Sequence, residues 1–191
     1  MDSLFIERTL EKLAERRPVF HSEADLQFEF AWEMRKTFDD RIRLEYPMRN
    51  IGELDIFLPD LSIIIEFKYK TKKDSFLVNG ESFTLRQQSA NPLGRYDFLK
   101  DVSRIETSHM KGFCIFLTND PSYWNPDVRG NGKAFSLESD RTIHGTFAWQ
   151  HKRLKSIGGN RMKDICLNGT YQCCWKQYSG NFRFLLFSIK N

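Results

Sequence analysis

Apolar residues recur at two different periods along this chain, and the changes of period divide it into elements. Leu4, Ile6, Leu10 and Leu13 recur near helical spacing among alternating charges, which predicts a helix over residues 3–16, closed by Pro18. Ser22-Glu23-Ala24-Asp25 forms an S-x-x-D capping box, so a second helix starts at Glu23 and runs to about Phe38. Phe28, Phe30, Ala31, Trp32 and Met34 make that helix apolar on most sides and predict its burial. Strands follow over Arg41–Met48, Gly52–Leu58 and Leu61–Lys70, the last two joined by a tight Pro59-Asp60 turn. Asn79-Gly80 suits a type I′ turn and predicts a small hairpin from Phe76–Val78 to Ser82–Leu85. Arg95–Ser108 reads as a helix, and the continuous apolar run Gly112–Leu117 as a buried strand. Pro121–Ser139 reads as a long loop, followed by strands at Ile143–Trp149, Tyr171–Tyr178 and Phe182–Ile189. The order is α-α-β-β-β, a hairpin, α-β and further strands, an α/β chain read as one domain over residues 1–191 with no compositional break.

The hydrophobic and charged fractions, 40% and 28%, are those of a globular protein, and the aromatic fraction of 14% predicts a ring-rich core. No apolar run is long enough to span a bilayer, and no basic region leads into an apolar stretch at the N-terminus. The expectation is therefore a cytoplasmic protein without membrane contact, its four cysteines free thiols. Charge is unevenly spread. Residues 1–60 carry 9 Lys/Arg against 14 Asp/Glu, whereas residues 141–191 carry 9 against 1. Lys152, Arg153, Lys155, Arg161 and Lys163 centre this cationic block, which suits either phosphate binding or a solvated face.

The candidate chemistry sits on the two strands joined at Pro59-Asp60. Side chains alternate between faces of a strand. Leu54, Ile56 and Leu58, with Ile63, Ile65, Phe67 and Tyr69, should seal one face into the core. The other face then carries Glu53, Asp55 and Phe57 beside Ile64, Glu66, Lys68 and Lys70. If Pro59 lies opposite Ser62, then Asp55 faces Glu66 and Glu53 faces Lys68. Two carboxylates directly opposite each other destabilise a hairpin. A magnesium ion between them would offset that repulsion, since hard oxygen donors suit it. Lys68, one step along, could then stabilise charge on a phosphoryl group. The plainer reading is a wet face with a Glu53–Lys68 surface pair worth about 0–1 kcal/mol.

Asp55, ten intervening residues, then Glu66-Phe67-Lys68 resembles the signature of the PD-(D/E)XK, or restriction-endonuclease-like, nuclease superfamily. Leu54 stands where the name-giving proline would be. The resemblance covers roughly residues 22–118. It implies an αβββαβ core with a mixed central sheet flanked by helices, and the remaining strands, residues 140–191, become a basic C-terminal extension. It implies Asp55, Glu66 and the Phe67 backbone carbonyl as ligands of Mg2+ or Mn2+, with Lys68 as the catalytic lysine. Glu23 matches an additional helix glutamate, and Gln88 a polar residue near the site; Glu53 is accessory. The stretch Gly94–Asp101 would supply further polar groups. The implied activity is metal-dependent phosphodiester hydrolysis in nucleic acid, DNA before RNA, in a chain that could pair as a homodimer. Lys70 joins the cationic block as a backbone contact. The alternatives are a non-cleaving nucleic-acid-binding module on the same fold and an interaction protein of a defence or toxin system. Trp124, Trp149 and Trp175 could stack on bases, with core packing the better reading for two of them. No histidine-pair zinc motif, nucleophile elbow or phosphate-binding glycine loop competes.

Overall fold

The computed structural model describes residues 1–38, 41–88, 90–126, 130, 132–151 and 161–190. Its centre is a mixed six-stranded sheet with three helices around it. Two helices open the chain, Ser3–Arg16 (α1) and Glu23–Arg35 (α2). Each is capped by a side chain: Ser22 accepts from the Asp25 N–H, as the capping box predicts, and Asp2 accepts from the Phe5 N–H. Three strands follow, Arg43–Met48 (β1), Gly52–Leu58 (β2) and Ile63–Lys70 (β3), then the hairpin Asp74–Val78 (β4) and Glu81–Leu85 (β5). Asn79 and Gly80 turn that hairpin with φ of 51° and 82°, the two positive values of a type I′ turn. Asn91–Ser108 (α3) leads to Lys111–Thr118 (β6), and the last strands are Thr142–Phe147 (β7), Ile165–Gln172 (β8), Lys176–Ser179 (β9) and Phe182–Ile189 (β10).

The strand order is β1-β2-β3-β6-β10-β9. The β3–β6 pair is parallel and every other pairing in this sheet is antiparallel. Parallel neighbours need a crossover, and here α3 is part of it. Apolar side chains cover both faces. Ile6, Leu10, Leu26 and Phe30 from α1 and α2 cluster with Ile56, Ile65, Phe67 and Ile115 on one. On the other, Phe98, Leu99 and Val102 of α3 cluster with Ile64, Phe116, Leu167 and Phe187. No described helix is long and apolar enough to cross a membrane.

Three expectations change. The second helix is not buried all round: Phe28 and Trp32 are 53% and 57% exposed and stack on each other, because only the stripe Leu26, Phe30, Ala31 and Met34 faces the sheet. The region expected as one strand over Tyr171–Tyr178 is two, since β8 ends at Gln172 and pairs with β7 in a separate ribbon, while β9 joins the main sheet. Burial of Ile165, Leu167 and Tyr171 at alternate positions is the signal for β8. The loop over Pro121–Ser139 holds two short 3-10 turns, Pro121–Tyr123 and Lys133–Phe135.

Gly112 sets how closely α3, β3 and β6 approach. A Cβ there would lie 2.7 Å from Ile105 Cγ2 and 2.8 Å from the Ile64 carbonyl oxygen. Gly112→Ala should cost about 1–3 kcal/mol through overpacking, read as a lowered urea midpoint. An unchanged midpoint would mean that the three elements can separate freely at this point.

Candidate functional site

The register of the central hairpin is the one the sequence predicts. Leu58 pairs with Ile63, Phe57 with Ile64 and Ile56 with Ile65. The ladder then stops, and β2 leaves the edge of β3. Beyond Ile65, three side chains from separate parts of the chain satisfy successive outward N–H groups of β3 and the residue after it. The Phe67 N–H donates to Asp55 Oδ2 at 2.6 Å, the Tyr69 N–H to Glu23 Oε2 at 2.6 Å and the Thr71 N–H to Gln88 Oε1 at 3.1 Å. Asp55, Glu23 and Gln88 are therefore brought together along one strand edge.

The departure of β2 corrects part of the expected face. Glu53 does not meet Lys68; it is exposed, lies opposite Pro47 of β1, and Lys68 pairs with Asp101 instead. Asp55 is not a ladder partner of Glu66 but reaches the backbone one residue further on. Leu54 is buried as expected, but in the α3-side cluster rather than with Ile56 and Leu58. The cause is local. The β1–β2 ladder skips Glu45 and Asp55, and Glu45 takes φ 47°, so the pleat is interrupted between Leu54 and Ile56.

Glu66 and Lys68 project toward α3, which supplies two charged residues. Glu66 is 2% exposed, with Oε1 2.6 Å from an Arg104 guanidinium nitrogen. Its Oε2 has no hydrogen-bond partner among the described residues. Lys68 Nζ lies 2.7 Å from Asp101 and 4.0 Å from Glu23, and it donates to the Phe67 carbonyl at 2.8 Å. Asp101 falls within the polar stretch expected to supply groups here. Arg104 was not legible as a candidate; its signal is the Asp101/Arg104 spacing of three on a helix, which places both on one face and 3.4 Å apart.

Burial raises the Asp55 carboxyl to about 6, with Glu23 and Asp101 adding to the effect, while Lys68 and the Phe67 N–H oppose it. Burial likewise drives Glu66 well above the carboxylate range; the nearby Asp101 and Asp55 charges reinforce this, and they outweigh Arg104 and Lys68. For Lys68, burial disfavours the charge, but Asp101, Glu23 and Asp55 together overcome it and hold the ammonium firmly protonated. Fully ionised, the four acids Glu23, Asp55, Glu66 and Asp101 exceed the two cations Lys68 and Arg104 by two charges. A divalent cation would balance that excess.

The hard-oxygen donors fit such an ion. By donor type, Asp55, the Glu66 Oε2 that lacks a hydrogen bond, and the Phe67 carbonyl would supply two carboxylates and one carbonyl. Among the described residues, no group of three or more His, Cys, Asp or Glu side chains is arranged to hold a metal. Two clefts flank the cluster, one of about 430 Å3 lined by Glu23, Lys70, Arg86 and Gln88, the other of about 260 Å3 by Lys100, Arg104 and Lys163. Of the cationic block, Arg161 binds Asp97 of α3 through two nitrogens at 2.7 and 2.8 Å. Lys152, Arg153 and Lys155 lie outside the described residues. Trp149 is buried, while Trp124 and Trp175 are partly buried against the α3-side core.

No family model, no curated protein and no solved structure matches this chain.

Both raised carboxyls hold protons in the folded chain that they release on unfolding. Their stabilising contribution is complete below the ordinary values, 3.8 for Asp55 and 4.5 for Glu66, and is lost as pH rises through the folded values. Urea unfolding without divalent ions should show stability declining as pH rises above 4.5. Glu66→Gln, neutral throughout, should gain about 1–3 kcal/mol at alkaline pH, leaving a decline that runs from the ordinary Asp55 value of 3.8 and levels off above its folded value of about 6. A variant as sensitive to alkaline pH as the parent would assign the titration elsewhere.

Proposed function

We propose that this chain is a metal-dependent nuclease of the PD-(D/E)XK type that hydrolyses phosphodiester bonds in nucleic acid, DNA before RNA. The observation that carries the reading is the buried Glu66 carboxyl, one oxygen without a hydrogen bond, set beside Asp55 and a charged Lys68 in a cluster where four acids meet two cations. The element order supports it: a helix, an antiparallel β1-β2-β3 meander, then α3 and a strand parallel to β3.

Asp55, Glu66 and the Phe67 carbonyl would hold Mg2+ or Mn2+. When bound, such an ion supplies Lewis-acid stabilisation of a phosphoryl oxygen and lowers the pKa of a coordinated water. Lys68 offers a fixed cation to charge developing on the phosphoryl group. Asp101 is a positioning residue, since its ion pair holds the Lys68 ammonium at the Phe67 carbonyl. Arg104 lies against Glu66, and Glu23 fixes the strand edge while facing Lys68. The same Arg104–Glu66 pair gives the second reading its support: a guanidinium already serving as counter-ion suits a module that binds nucleic acid without cutting it.

Plasmid, single-stranded DNA and single-stranded RNA incubated with the protein should be cleaved in Mg2+ or Mn2+ and left intact in EDTA. Glu66→Ala and Lys68→Ala should each lower the rate by about 100-fold or more, with circular dichroism showing retained fold. Cutting at parental rates by both variants would overturn the site. Mobility shifts without cutting would favour the binding module.

A further inference from the structure

The described surface carries a second cationic feature, outside the acidic cluster and, in sequence, away from the Lys152–Lys163 centre of the C-terminal block. A cleft of about 510 Å3 opens just past the carboxyl ends of β3 and β6, lined by Lys72, Lys73, Asn119, Trp124 and Arg183 among others. Crevices at the carboxyl ends of parallel strands are where ligands of α/β sheets commonly bind. The cations reach this place from two distant segments. Register brings them together: Lys70 pairs with Thr118, and Thr118 with Arg183, so one row of residues crosses the sheet end.

The cleft is organised as well as charged. Asn119, 3% exposed, accepts from the Lys72 N–H at 2.8 Å and donates to its carbonyl at 3.2 Å, clamping the backbone there. Arg183 lies over the Trp124 ring, 5.0 Å from its centroid. A guanidinium held against an indole keeps its N–H fork ordered for an oxyanion. Asp74, an acid lining the cleft, accepts from Asn181 and from the Ser75 N–H. Among the described residues no carboxylate forms an ion pair with Lys70, Lys72, Lys73 or Arg183.

We propose that this cleft binds a single strand of nucleic acid, with backbone phosphates on Lys72, Lys73 and Arg183 and a base against the Trp124 side. Cationic grooves with an aromatic platform are the common design for single strands, because every base has a face to stack. A duplex keeps its base faces inside the stack and could offer the indole nothing. Two residues of strand rise and two interstrand steps separate Lys68 from Arg183, roughly 12 Å. The cleft would thus hold the strand a few nucleotides from the acidic cluster. The choice of nucleic acid as ligand rests on the nuclease reading; the site itself does not.

The test is fluorescence anisotropy in EDTA, where no metal-dependent cutting can occur. Labelled 20-nucleotide single-stranded DNA, the same sequence as RNA, and the DNA duplex are titrated across 50–200 mM salt, about the range over which phosphate contacts show. Single strands should bind at least about tenfold more tightly than duplex, and the tighter of DNA and RNA names the strand. Lys72→Gln/Lys73→Gln should weaken binding about tenfold and reduce the logarithmic salt slope by about 1.4. Both lysines are exposed, so this variant should fold as the parent does. Arg183→Lys should keep the slope yet lose affinity, because the charge stays and the ordered fork goes. Equal affinity for duplex, or an unchanged slope in the double variant, would overturn the proposal. Single-strand binding through the cleft by a protein that never cuts would uphold it and remove the nuclease reading. Cutting by a protein whose affinity ignores the cleft variants would do the reverse.

Discussion

The open edge of β3 is the constraint on which the rest depends. Past Ile65 the strand loses its neighbour, and buried N–H groups left without acceptors cost about 1–3 kcal/mol each. Asp55, Glu23 and Gln88 meet that need at Phe67, Tyr69 and Thr71. They come from β2, from the first residue of α2 and from the segment before α3, so satisfying one edge fixes the relative positions of three elements. It also gathers acidic side chains where the sheet alone would not bring them. The convergence of carboxylates follows from the backbone's hydrogen-bond requirement as much as from chemistry.

That origin sharpens the question of what the acids are for. A neutral acceptor such as Gln88 caps a strand N–H adequately, so carboxylates are not required by the edge. Partly buried carboxylates near one another carry a desolvation cost, seen in the raised Asp55 and Glu66. Replacing buried ion pairs with apolar residues is often neutral or stabilising. A cluster of four acids and two bases beneath α3 is therefore not explained by stability, and an arrangement that costs stability is most simply explained by use.

Much of this was legible, and the limits have identifiable causes. The register around Pro59-Asp60 follows from period-two alternation and a tight turn, and the ladder at Ile56, Phe57 and Leu58 agrees with it. Extending that register to Asp55 and Glu53 fails, because periodicity shows which face a residue takes and not where two strands part. Leu54 changes sides for the same reason, at a backbone irregularity centred on Glu45 that has no signature in hydropathy. Arg104 was hidden among the apolar positions of α3, where a lone charge reads as a solvated flank. The C-terminal charge run drew attention by its density around Lys152–Lys163, whereas the unpaired Lys72 and Lys73 lie far from Arg183 in sequence and meet it only through strand order.

β3 joins these features because a strand offers three independent directions at each step. Its odd-numbered side chains, Ile63, Ile65, Phe67 and Tyr69, are committed to the core beneath α1 and α2. Its even-numbered ones, Glu66, Lys68 and Lys70, face the other way, the first two meeting charges from α3. Its free N–H groups point sideways and hold Asp55 and Glu23 in place. A loop could present the same residues, but each would carry its own conformational freedom. Here the packing of four apolar side chains fixes the line along which the charged ones stand, and rigid support of this kind is what a site needing sub-ångström placement requires.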